Sequence, residues 1–183
     1  SSELQKKLEK LDEERKILID GISPVVESLT QLEGLEEKQL SEQIQKIKKE
    51  LGKENIDKLY AFAHFSYSRA QYKEAFAIIK SYQMLINSDD PNYVNTQWAL
   101  LASAFFSQEF KEAQDQFFNL KSYIDTAGLP QIQALQSRTW LIHWGLFIFF
   151  NVEHGREYLV DLFFDSKSLN NKQFQHNAFL NAL

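Results

Sequence analysis

The segment Trp98-Ala99-Leu100-Leu101-Ala102-Ser103-Ala104-Phe105-Phe106-Ser107-Gln108-Glu109-Phe110-Lys111-Glu112-Ala113 has an echo 38 residues earlier, where Tyr60-Ala61 opens the copy and Tyr72-Lys73-Glu74-Ala75 closes it. In each copy an aromatic residue starts one helix, a turn follows, and a second helix begins aromatic-Lys-Glu-Ala. A small Ala on the second helix lets the first approach, and aromatic rings fill the groove between adjacent hairpins. Such spacing predicts an all-α fold: a right-handed α-solenoid of helical hairpins, similar to tetratricopeptide or HEAT repeats in a degenerate form.

Turn clusters flank the second copy, Asn87-Ser88-Asp89-Asp90-Pro91-Asn92 before it and Asp125-Thr126-Ala127-Gly128-Leu129-Pro130 after it. A third hairpin is expected beyond Pro130, with one helix from Gln131 to Phe150 and the next opening at Gly155-Arg156-Glu157. Its first helix carries Trp140-Leu141-Ile142-His143-Trp144-Gly145-Leu146-Phe147-Ile148-Phe149-Phe150, apolar on all sides. A helix tolerates that pattern when it is buried all round, so Trp140, His143, Trp144 and Phe147 are expected in the core. Some of that burial could come from another layer or subunit. Tyr60, Phe65, Tyr72, Phe76, Phe105, Phe117 and Phe118 are expected to be core rings as well.

Upstream the composition changes. Residues 1–58 hold 25 of the 45 charged residues and no aromatic residue, whereas all 25 aromatics lie beyond them. Leu4, Leu8, Leu11 and Leu18 form one helical stripe, with Ser2 as N-cap and Gly21 as terminator. Ser23-Pro24 reads as the start of a short helix to about Gly34. Leu40, Ile44, Ile47 and Leu51 form a second stripe ending at Gly52, and Asn55 is an N-cap candidate for the next helix. The expected division is therefore charged N-terminal helices over 1–53 and an aromatic-rich helical-repeat domain over 54–183.

Composition excludes several classes. At 183 residues with 44% hydrophobic and 25% charged residues, the chain has material for one ordinary domain. Six Gly and three Pro are too few for a sandwich or barrel. A net charge of −5 opposes a phosphate backbone, so no sequence-specific nucleic-acid partner is expected. With no Cys there is neither a disulfide framework nor a thiolate metal site. The 11-residue apolar run is short of a membrane span, which needs about 17–25 residues. The polar start, Ser1-Ser2-Glu3-Leu4, has no leader pattern and, lacking Met, reads as an excised fragment.

No reactive constellation emerges. The four histidines make no His-Glu-x-x-His pair, and the glycines build no phosphate-binding loop and no Gly-x-Ser-x-Gly elbow. Glu36-Glu37, Asp12-Glu13-Glu14 and Asp89-Asp90 fall in helix-surface or turn contexts, with nothing to drive their pKa values apart. Among aromatic neighbours, His143 reads as a hydrogen-bonded core histidine, and His154 beside Glu157 as part of a solvated helix start. Lys46, Lys48, Lys49 and Lys53 alternate with Glu42, Glu50 and Glu54 as on a solvated helix face. No catalytic, cofactor-binding or metal-binding residue is expected, and no cofactor.

The run from Gln136-Ser137-Arg138-Thr139-Trp140 to Phe150-Asn151, followed by Gly155-Arg156 and Asp161-Leu162-Phe163, resembles a PCI-domain family, that of the e-type subunits of eukaryotic translation initiation factor 3. Leu59-Tyr60 to Ala75 and Trp98 to Ser103 extend the resemblance in the same order. It implies a non-catalytic scaffold subunit whose helical repeats lead into a PCI winged helix expected beyond Leu183. It also implies partners among the other initiation factor 3 subunits, c, d and l in particular. The small ribosomal subunit would be reached through the complex, in the cytoplasm with room for a nuclear pool. Asn170, Gln173, Phe174 and Phe179, aromatics in a polar setting at the chain end, are the expected partner interface. Competing readings are a peptide-binding repeat adaptor, a scaffold of another PCI complex such as the proteasome lid or the signalosome, and an RNA-contacting module on Lys46 to Lys53.

Overall fold

The computed structural model describes residues 37–164, together with helical residues 5, 6, 9, 10, 13 and 16. The described residues form an all-α fold with the elements α1 (Glu37–Ser68), α2 (Tyr72–Leu85), α3 (Tyr93–Phe106), α4 (Phe110–Thr126), α5 (Gln131–Phe149) and α6 (Gly155–Phe164). Inside α1 the helix is broken at Gly52, whose φ of 66° and ψ of 159° belong to a region essentially reserved for glycine. The expected stop at Gly52 is thus a kink between two helical segments, six residues before the composition break that follows residue 58.

The 38-residue echo is written into the backbone. Three residues, 69–71, join α1 to α2, and three, 107–109, join α3 to α4. Ala70 and Gln108 both take left-handed torsions, with φ of 60° and 63°. The Gln71 N–H donates to the Ser66 carbonyl at 3.0 Å, and the Glu109 N–H to the Ala104 carbonyl at 3.1 Å. One residue earlier, Ala70 bonds Tyr67 at 3.0 Å and Gln108 bonds Phe105 at 2.9 Å. Ala75 and Ala113, the small residues that close the repeated motif, are completely buried.

Two compact units divide at residues 99 and 100, within α3 rather than at the composition break. In the first unit, Ala75, Ile78, Ile79, Tyr82 and Leu85 make one face of α2, which packs with Ile56, Leu59, Phe62 and Ala63 of α1. Two polar pairs lie there as well: the Ser66 hydroxyl donates to Glu74 Oε2 at 3.0 Å, and Gln83 Nε2 donates to Thr96 Oγ1 at 3.3 Å, while Gln71 Oε1 is buried without a hydrogen-bond partner. An unpaired buried polar group would cost about 1–3 kcal/mol.

The second unit gathers Phe117, Leu120 and Ile124 of α4, Leu141, Ile142, Ile148 and Phe149 of α5, and Leu159 and Leu162 of α6 as buried side chains. Phe117 and Phe149 meet edge to face with centroids 4.9 Å apart. Pro130 precedes α5, and Gly155 opens α6 because a Cβ there would land on the Phe149 carbonyl.

The expectation of an α5 core on every side is overturned. Trp140 and Phe147 are exposed, and His143 and Trp144 are only half-buried. Leu141, Ile142, Gly145, Ile148 and Phe149 share one face of the helix, which is turned toward α4 and α6; on the other side Trp144 and Phe147 reach rings at the end of α3, and Trp140 and Phe147 stay exposed. Among the other rings expected in the core, Phe117 is fully buried, Tyr60, Phe65, Tyr72, Phe76 and Phe105 are half-buried, and Phe118 is exposed.

Candidate functional site

Gly145 sets the position of α5. A Cβ built there would stand 3.1 Å from Phe117 Cε2 and 3.4 Å from Leu162 Cδ2, so its absence allows α5 close to both α4 and α6. Nearer the start of the helix, Arg138 Nη2 donates to Asp125 Oδ1 at 3.0 Å, while Lys121 Nζ donates to Asp125 Oδ2 at 3.1 Å. All three side chains are largely covered, so the carboxylate ties the end of α4 to α5 in surroundings where charge-assisted bonds are worth more than at a free surface.

With one face so fixed, the other points outward and is aromatic. Trp140 is 62% exposed, Phe147 60%, and Phe150, at the C-terminal cap, 70%. Trp144 lies between them, with its ring 5.7 Å from Phe105 and 6.1 Å from Phe106, which is itself 45% exposed. Phe105 also reaches Phe147 at 6.2 Å, so Phe105, Phe106, Trp144 and Phe147 form one connected group of rings along the outer side of α5 and the end of α3.

Polar groups on this surface are turned back onto the helix. His143 Nδ1 lies 2.8 Å from the Thr139 carbonyl, which can only accept, so Nδ1 carries the hydrogen and a neutral ring keeps Nε2 as an acceptor. Asn151 Nδ2 donates to the Phe147 carbonyl at 2.7 Å. Arg138, the one charged residue of α5, belongs to the Asp125 pair. What this arrangement can do is bury apolar area on a partner.

A second concavity lies beside the Gly52 kink, a cavity of about 520 Å³ with Ile56, Tyr82 and Leu85 as its apolar lining and Lys53, Asp57 and Asp89 among its charged side chains. Lys48 Nζ, at its edge, donates to Asn87 Oδ1 at 2.9 Å. Burial pushes the Tyr82 phenol above its ordinary pKa, although the hydrogen bond from Asn92 Nδ2 at 3.4 Å works against that.

The Trp140, His143, Trp144 and Phe147 motif is brought together, but as a surface rather than a core. Asn170, Gln173, Phe174 and Phe179 lie outside the described residues. His154 Nδ1 lies 3.4 Å from Glu157 Oε1, both side chains exposed at the start of α6. Lys46, Lys49 and Lys53 are exposed, as on a solvated helix face. Among the described residues, no group of three or more His, Cys, Asp or Glu could hold a metal ion, and no helix is long and apolar enough to cross a membrane. Phe106 and Phe150 were not singled out by the sequence reading; continuing the helical phase from Trp140 through Phe147 would have pointed to Phe150.

No family model matches the chain. Over 110 residues, 60% of its length, it is 34% identical to the E-type subunit of eukaryotic translation initiation factor 3 from Drosophila ananassae, and equally to those of Drosophila persimilis and Drosophila yakuba. The match spans 25% of each of those proteins. Over that stretch the resemblance seen in the residues is borne out.

Proposed function

We propose that the chain is a helical-repeat portion of a translation initiation factor 3 subunit of the E type, a non-catalytic scaffold that assembles with other subunits of its complex. The observation that carries this reading is the 34% identity over 110 residues to subunits of that name. The aromatic face of α5 supports it physically, since exposed aromatics that touch one another are enriched where proteins bind. Such a subunit presents surfaces and turns over no substrate. Its partners would be other initiation factor 3 subunits, c, d and l first, with the small ribosomal subunit reached through the complex in the cytoplasm. The resemblance to subunits of a named translation factor favours this over a free peptide-binding adaptor or a scaffold of another PCI complex.

Co-expression of the full chain with tagged subunits c, d and l tests the proposal. Stoichiometric co-purification through size exclusion is expected. A chain that elutes alone in every pairing, while the other subunits still assemble, refutes it.

A further inference from the structure

The outer face of α5 and its cap runs from Trp140 to Phe150, eleven residues spanning about 15 Å of helix. Its exposed portions of Trp140, Phe147, Phe150 and Phe106 add up to about 350–600 Å² when each ring is taken as roughly 150–250 Å². That is the size of the largest apolar patch of an ordinary monomer, about 300–600 Å², which is often a functional surface. It also falls far short of the roughly 1,000 Å² or more per partner that an obligate homodimer buries. A second copy seated face to face would leave that interface undersized.

The polar inventory narrows the occupant further. An extended strand or a polyproline segment brings its own unpaired backbone groups and needs donors and acceptors in return. Here His143 Nδ1 and Asn151 Nδ2 are both committed to carbonyls of α5 itself, and the α5 backbone is internally bonded as a helix. A helix satisfies its own backbone, so it can lie on a donor-poor aromatic surface without leaving polar groups stranded. Charge points the same way: the single charged residue of α5 is already held by Asp125, so α5 itself offers no ion pair.

Resting on the scaffold reading, we infer that the aromatic surface shared by the end of α3 and the outer side of α5 receives one amphipathic helix of about three turns from another subunit. That helix presents uncharged apolar residues at i, i+3 or i+4, and i+7. The half-buried Trp144 and Phe105 lie among the exposed rings Phe106 and Phe147, and Trp140 extends the apolar surface toward the start of α5.

The test uses the full chain carrying the photoreactive residue benzoylphenylalanine at position 147, co-assembled with subunits c, d and l, irradiated, and mapped by mass spectrometry. The expected product joins position 147 to a segment of another subunit with the stated apolar spacing. A synthetic peptide of that segment should then bind the unmodified chain at least tenfold more tightly than the Trp140→Ala, Phe147→Ala double variant. Because both side chains are exposed, the variant should keep its helical circular dichroism and melting temperature, which separates lost binding from lost folding. An assembled complex with no product at 147 overturns the inference while leaving the scaffold reading intact. So does a product confined to a second copy, to residues 165–183 of the same chain, or to a proline-rich segment. Failure of the complex to assemble removes both.

Discussion

Replacing Gly145 by alanine sets two effects against each other. Alanine in a helix interior is favoured over glycine by about 1 kcal/mol. Against this, the new methyl stands 3.1 and 3.3 Å from Cε2 and Cζ of Phe117 and 3.4 Å from Leu162 Cδ2. Phe117 has little freedom to yield, being fully buried with Phe118 at 5.6 Å and Phe149 at 4.9 Å around its ring. Overpacking of this kind costs about 1–3 kcal/mol. Gly145→Ala is therefore expected to lose about 1 kcal/mol net, a fall in Tm of about 2–4 °C for a chain of this size. In a Phe117→Leu background the ring edge is gone, and the same Gly145→Ala change should become neutral or stabilising by up to about 1 kcal/mol. Urea unfolding of the four proteins, followed by tryptophan fluorescence, gives the coupling directly. A stabilising Gly145→Ala in the unaltered chain, with the two changes additive within about 0.5 kcal/mol, would refute the packing argument.

Trp140→Ala should leave thermal stability within about 0.5 kcal/mol of the parent, whereas Phe117→Ala should cost about 3–5 kcal/mol; equal losses in calorimetry would contradict the burial described for the two rings. Ala70→Gly relieves a left-handed torsion at a corner and should stabilise by about 0.5–1 kcal/mol in denaturant titration, an expectation that fails if stability drops. Tyr82, raised above 10.0 mainly by burial, and Tyr67, raised by burial and then by Tyr72, hold their protons longer when folded. Their contribution is complete below pH 10 and is lost as pH rises through the folded-state values, so Tyr82→Phe should flatten the decline in stability above pH 10.

Much of the fold could be read from the residues because its signals are local. The recurrence of aromatic-Lys-Glu-Ala marks the starts of α2 and α4, Pro130 and Gly155 mark α5 and α6, and Gly52 marks the kink. The outward face of α5 was not legible for a physical reason. When a helix is apolar all round, its sequence has no polar side to indicate direction, and the choice falls to whichever face lacks a bulky obstacle. Gly145, with Phe117 and Leu162 against it, makes that choice from outside the periodic pattern. The pairing of Arg138 with Asp125 was hidden for a similar cause, since it joins residues on separate helices that no motif relates. Nor does any composition shift announce the division inside α3, where Leu100, Leu101, Ala102 and Ala104 are buried without interruption.

The paired corners at 69–71 and 107–109 are closed by main-chain groups. In each, a left-handed residue and the two amide bonds around it satisfy carbonyls that the last helical turn leaves open, a common way for a helix to end. Neither uses glycine at its left-handed position, although glycine would adopt it more readily. Each hairpin thus reverses within three residues at a small backbone cost, just ahead of the fully buried Ala75 or Ala113.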